Sequence, residues 1–204
     1  MVDIIETEEI LTGLQDSNPN KRNELIDKLT QLRNSDIVTY LISLLKQDVI
    51  HWQVKEGACK ALGRIGDKSA TEALIASLDD DNEIVRYQAV NALGKLGDKR
   101  AVPKLLSILQ KKEEQLVRSE AVKALGMIGD PSALKIVLNI LKKEEDRFIK
   151  YHSVTTLGKL GDKRALKELQ KIAKTSTDDR LVLRALEAIE NIEKRMNKLK
   201  VVAG

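Results

Sequence analysis

Few side chains in this chain could do covalent or metal chemistry. Its 204 residues include two histidines, His51 and His152, one cysteine, Cys59, and one tryptophan, Trp52. The histidines stand in distant segments with no neighbouring His or Cys, so neither has metal-ligand spacing. Cys59 lies between Ala58 and Lys60 with no base placed to draw off its proton, and a nucleophilic thiol needs one. A lone cysteine also excludes an internal disulfide framework and a cysteine-based zinc cluster. No Ser-His-Asp order or paired-acid motif stands out. The Gly-Asp pairs at 66–67, 97–98, 129–130 and 161–162 are spaced for turns, and none opens a lysine-bearing phosphate loop. We therefore expect no catalytic residue, no metal, no cofactor and no enzyme activity. What remains is surface chemistry, in which tyrosines, amides and cations could meet a partner.

The elements that would position those side chains repeat along the chain. Val85–Asp98 reads VRYQAVNALGKLGD, and the pattern returns as VKEGACKALGRIGD (54–67), VRSEAVKALGMIGD (117–130) and IKYHSVTTLGKLGD (149–162). The Gly-Asp pairs step by 31, 32 and 32 residues, the signature of a repeat array. One apolar column holds Leu29, Leu62, Leu93, Leu125, Leu157 and Ile189. Four residues earlier stand Leu25, Ala58, Ala89, Ala121, Ser153 and Ala185; three later stand Leu32, Ile65, Leu96, Ile128, Leu160 and Ile192. Those offsets share one helical face. A shorter helix precedes each, with Leu41, Leu74, Leu105, Val137 and Leu169, then Leu45, Leu78, Leu109, Leu141 and Ala173; Ile10 and Leu14 begin both columns. The reading is all-α: an α-α superhelix, or right-handed α-solenoid, of six helix pairs. Its repeats span approximately 4–34, 35–66, 67–97, 98–129, 130–161 and 162–196, with a fraying basic tail at 197–204.

Gly66, Gly97, Gly129 and Gly161 suit the left-handed residue that closes a helix, and each following Asp suits the cap of the next turn. Pro103 puts the helix start near Ala101, after a short turn. The earlier column Gly63, Gly94, Gly126 and Gly158 suggests close helix approach. Thr30, Arg33 and Asn34 in the first unit, and Glu190, Glu193 and Lys194 in the last, replace the connection signals, as the polar side of a capping repeat requires.

Aromatic residues make up 2% and the net charge is +4, so there are few rings to stack on bases and no concentrated basic stripe. Both argue against nucleic acid. No apolar run approaches the roughly 18 residues of a membrane span, and the acidic start MVDIIETEEILTGL is unlike a signal peptide. A cytoplasmic monomer is expected.

The copies of V-R-x-x-A-x-x-A-L-G-x-[IL]-G-D, joined by paired helices, resemble HEAT repeats of the phycobilisome-lyase-type subclass over essentially the whole chain. The resemblance implies a ladder between an Asp in the turn within each pair and an Arg opening the second helix. Asp16 with Arg22 and Asp80 with Arg86 fit it. Lys112 stands in the acid's place before Arg118, Lys55 and Lys150 replace Arg, and Val182 ends it, so the ladder reads as partial. The second helices would line a concave face whose unit-by-unit variation suits protein recognition, through Lys60, Arg64, Tyr87, Asn91, Lys95, Lys123, Met127 and Tyr151. Trp52, in a column otherwise held by Asn20, Glu83, Gln115 and Arg147, could be a hot spot. The expected function is a non-catalytic scaffold for a protein partner. The alternative is a phycobilin-lyase-like or other enzyme-accessory subunit.

Overall fold

The periodicity of the sequence becomes paired helices. A computed structural model describes residues 4–32, 34–110 and 113–203; Arg33 and Lys112 lie outside them. Among these residues there are twelve α-helices and no strand: α1 (Ile4–Leu14), α2 (Pro19–Leu32), α3 (Ser35–Leu45), α4 (Trp52–Ile65), α5 (Thr71–Ala76), α6 (Glu83–Leu96), α7 (Val102–Gln110), α8 (Gln115–Ile128), α9 (Leu134–Lys143), α10 (Arg147–Leu160), α11 (Leu166–Thr175) and α12 (Asp179–Ala203). The chain divides into two compact units, Met1–Ala101 and Val102–Gly204. In the first, α1 packs on α2, α3 on α4 and α5 on α6, while α2, α4 and α6 stack side by side. In the second, α7 packs on α8, α9 on α10 and α11 on α12, with α8, α10 and α12 stacked in the same way.

The apolar columns form the core. Leu29, Leu62, Leu93, Leu125 and Leu157 are buried, as are Leu14, Leu41, Leu74, Leu105, Val137 and Leu169 on the first helices. Each such aliphatic side chain contributes about 1.5–3 kcal/mol when fully buried, so the columns supply the cohesion that short helices lack alone.

The turns form as their residues dictate. Gly66, Gly97, Gly129 and Gly161 close α4, α6, α8 and α10 at φ between 64° and 79°, a left-handed geometry that costs glycine little. The next residue, Asp67, Asp98, Asp130 or Asp162, accepts the backbone N–H two residues on at 2.8–3.0 Å, capping a single 3-10 turn before the helix proper. Pro103 is accommodated because that turn covers Lys99–Ala101 and α7 begins at Val102, where proline forfeits no helical bond.

Three expectations are corrected. Asn34 is a working connection: its side chain accepts the Asp36 N–H at 2.8 Å and caps α3, doing for α3 what aspartate does elsewhere. Leu32 sits on an apolar column yet is exposed; helical period marks a face without saying whether a neighbour covers it. Residues 197–203 continue α12, because this run of Asn, Lys, Leu, Val and Ala holds no Gly or Pro to stop the helix.

Candidate partner-binding face

Each second helix carries a polar strip beside its buried stripe, and in both units those strips are cross-braced. In the first unit Lys60 Nζ donates to Asn23 Oδ1 of α2 at 2.7 Å, and Arg64 forms an ion pair with Asp27. Gln88 Nε2 donates to Glu56 Oε1 at 3.3 Å, joining α6 to α4. Tyr87 and Asn91 are half-buried on α6, and Lys95 is exposed. In the second unit Lys123 Nζ lies 2.9 Å from Glu120 Oε1. That glutamate is buried, so the pair compensates a charge that would otherwise be costly to bury. Met127 is exposed on α8.

Tyr151 has the most elaborate setting. Its hydroxyl donates to Asp178 Oδ2 at 2.7 Å, the Arg184 guanidinium lies 5.4 Å from its ring centre, and Phe148 meets it edge-on at 6.2 Å. The bond to Asp178 pushes the Tyr151 hydroxyl's pKa up and holds the Asp178 carboxyl down. The sequence-expected residues thus fall into two sets. Lys60, Arg64, Tyr87, Asn91 and Lys95 belong to the first unit, and Lys123, Met127 and Tyr151 to the second.

The remaining candidates have quieter roles. Trp52 is the first residue of α4 and half-buried, 5.6 Å from the His51 ring, whose Nδ1 accepts the Gln53 N–H and caps that helix. It lies at a helix opening rather than in the loop before it. His152 is half-buried, and burial holds its pKa down, opposed by Glu120 and reinforced by Lys123, Arg184 and Lys159. Burial pushes the Cys59 thiol up to about 12, leaving almost no thiolate near neutrality. Among the described residues no three His, Cys, Asp or Glu side chains group to hold a metal ion, and no helix is long and apolar enough to cross a membrane.

The family model for HEAT repeats matches residues 7–83, 51–126, 71–154 and 102–190, nearly the whole chain in overlapping copies. This chain is a HEAT-repeat protein. Solved structures share the fold of this HEAT-repeat protein at low identity. The complex of CpcE and CpcF of phycocyanin lyase from Nostoc sp. PCC7120 matches at TM-score 0.59 and 19% identity, covering 91% of this chain and 94% of that one. A designed armadillo repeat protein in complex with the peptide (KR)4 matches at 0.60 and 18%, covering 92% and 99%. Human deoxyhypusine hydroxylase in complex with glycerol matches at 0.51 and 19%, covering 93% and 85%. A search of curated proteins found no match.

The HEAT-repeat ladder is present but runs differently from the sequence reading. Arg22 and Arg86 donate to the turn carbonyls of their own repeats, Arg22 to Asp16 O at 2.6 Å and Arg86 to Asp80 O at 2.8 Å. The carboxylate rungs reach the following repeat. Lys55 Nζ lies 2.9 Å from Asp80 Oδ2 and Arg118 Nη2 lies 2.6 Å from Glu144 Oε2, all four side chains at least three-quarters shielded from solvent. Burial pushes the Glu144 carboxyl up, but the Asp146 N–H and Arg118 together hold it below its ordinary value. Lysine at position 55 thus still makes a rung, as a point charge without the bidentate fork. The sequence reading missed Glu144, two repeat periods after Asp80, because it sought aspartate and paired it within one repeat.

Proposed function

We propose that this HEAT-repeat protein is a non-catalytic scaffold that holds a protein partner on the polar strips of its second helices. The observation that carries the reading is the division of labour on those helices. Their core columns are near-uniform aliphatics, all buried along the Leu62, Leu93, Leu125 and Leu157 row. The adjacent polar strip changes residue type from one repeat to the next while staying cross-braced, as in Lys60–Asn23 and Tyr151–Asp178. A braced and variable surface on a fixed core binds without a large ordering cost.

The test uses positions that can change without disturbing the core. Arg64, Lys95 and Met127 are exposed, so R64A/K95E/M127A should alter stability within about 0.5 kcal/mol per site while removing the partner from affinity purifications in the native source. An unchanged partner set at unchanged melting temperature would overturn the proposal. Lys123 and Tyr151 are poor probes, because Lys123 compensates buried Glu120 and Tyr151 bonds Asp178.

The phycocyanin lyase likeness gives a bilin-handling role as the second reading. Titrating the protein with a free bilin separates the two: a saturable change in the bilin absorption band would favour it, and an unchanged spectrum removes it.

A further inference from the structure

Beside Tyr151, α10 and α12 of the second unit assemble a patch that the core does not require. Phe148 and Leu183 are large apolar side chains left 52% and 60% exposed. Three arginines stand on the same two helices, Arg147 on α10 and Arg180 and Arg184 on α12. The Arg147 guanidinium lies 5.0 Å from the Phe148 ring centre, and Arg184 lies over Tyr151 and donates to Thr155 Oγ1 at 3.2 Å. Arg180 donates its backbone N–H at 3.0 Å to Asp178, the same carboxylate that accepts the Tyr151 hydroxyl.

None of the three arginines forms an ion pair among the described residues, whereas Lys123 and Arg64 on other second helices are paired with Glu120 and Asp27. The carboxylate inside the patch is already engaged: Asp178 accepts from the Tyr151 hydroxyl and from the backbone N–H groups of Arg180 and Leu181. Asp179 stands at its edge as the first residue of α12.

Exposed rings and guanidinium groups held in fixed stacks are the side chains that dominate protein interfaces. Stacking also pre-orders Arg147 and Arg184, which reduces the entropy cost of engaging a carboxylate. From this charge complementarity we infer that Arg147, Phe148, Tyr151, Arg180, Leu183 and Arg184 form a docking site for an acidic protein segment carrying an apolar anchor. The inference rests on the scaffold reading and names the partner chemistry for the second helices of the second unit. The segment's carboxylates meet the three guanidinium groups, and its aromatic or aliphatic side chain covers Phe148 and Leu183. Nucleic acid fits less well, because the exposed Leu183 has no use against a phosphate backbone.

Fluorescence anisotropy on the full chain tests this with four labelled probes: a short Asp/Glu-rich peptide bearing Leu and Phe, the same peptide with Lys for each acid, the same peptide with Ser for Leu and Phe, and a single-stranded oligonucleotide of matched charge. The acidic-apolar peptide should bind at least about tenfold tighter than each of the others. R147E/R180E/R184E should weaken it by about a hundredfold and F148S by about tenfold, with melting temperatures near that of the unaltered protein. Equal binding of the Lys or Ser peptide, tighter binding of the oligonucleotide, no binding near about 1 mM peptide, or undiminished binding to the arginine triple variant would each overturn the site. Should the peptide fail while R64A/K95E/M127A still removes the native partner, the scaffold stands and this docking site falls.

Discussion

Asp98 accepts the Arg100 backbone N–H at 3.0 Å, the Arg100 Nε and Nη2 at 2.9 and 2.6 Å, and the Thr71 hydroxyl at 3.0 Å. Arg100 in turn reaches Glu72 Oε1 and the Lys68 carbonyl, so one aspartate ties together two successive turns of the first unit. Arg100 is half-exposed, and exposed ion pairs contribute little; the cap and the shielded Thr71 bond should dominate. D98A is therefore expected to cost about 1–2 kcal/mol, the range of a lost helix-type cap. The Arg100 bonds are the largest cause holding the Asp98 carboxyl well below the usual carboxylate range. A depressed folded-state pKa gives stability that is complete above the unfolded value, near pH 4, and is lost as pH falls through the lower folded value. The D98A deficit should thus be constant from neutrality to about pH 4 and shrink below it. Urea midpoints across that range check the sign; a deficit that grew on acidification would contradict it.

Glycine at the column of Gly63 and Gly158 decides how close neighbouring second helices come. A Cβ at Gly63 would stand 2.7 Å from Ala92 Cα, and one at Gly158 would stand 2.8 Å from Ala188 Cα. In an exposed helix, Gly→Ala stabilises by about 1 kcal/mol through propensity. Here the obstructing atoms are backbone, so the helices must separate, and overpacking of that kind costs about 1–3 kcal/mol. G63A and G158A should each lower the melting temperature. An increase would mean that the α4–α6 or α10–α12 spacing relaxes freely. Packing between second helices was legible from sequence at this column because only glycine recurs there. Turn chemistry was legible for the same reason at Gly97 and Asp98. The ladder was not: its rungs join neighbouring repeats, and Glu144 serves where aspartate was sought. Nor could periodicity reveal that Leu32 is exposed, since its column is filled identically whether or not a neighbour covers it. The Arg147–Phe148–Tyr151–Arg184 stack was equally hidden, because it joins side chains of two helices whose relative rotation no column specifies.

At the scale of the chain, repeat proteins hold together through neighbour contacts, and their stability is close to a sum of repeat and interface contributions. The two compact units each contain a complete set of paired helices and their own buried columns, so damage to one should be felt first within it. Leu157 is fully buried in α10 of the second unit, and L157A should cost about 2–5 kcal/mol by leaving a cavity. Trp52, the only tryptophan, opens α4 in the first unit, so its fluorescence reports on that unit alone, whereas far-ultraviolet circular dichroism reports on both. In urea, L157A is expected to lower the circular dichroism midpoint more than the Trp52 midpoint and to broaden the helical transition. The matching variant L62A in the first unit should move Trp52 at least as much as the helical signal. Coincident midpoints in both variants would instead show a single cooperative transition. In that case, energy lost at Leu157 would be shared by every repeat, and a partner held by one unit would stabilise the other as fully as its own.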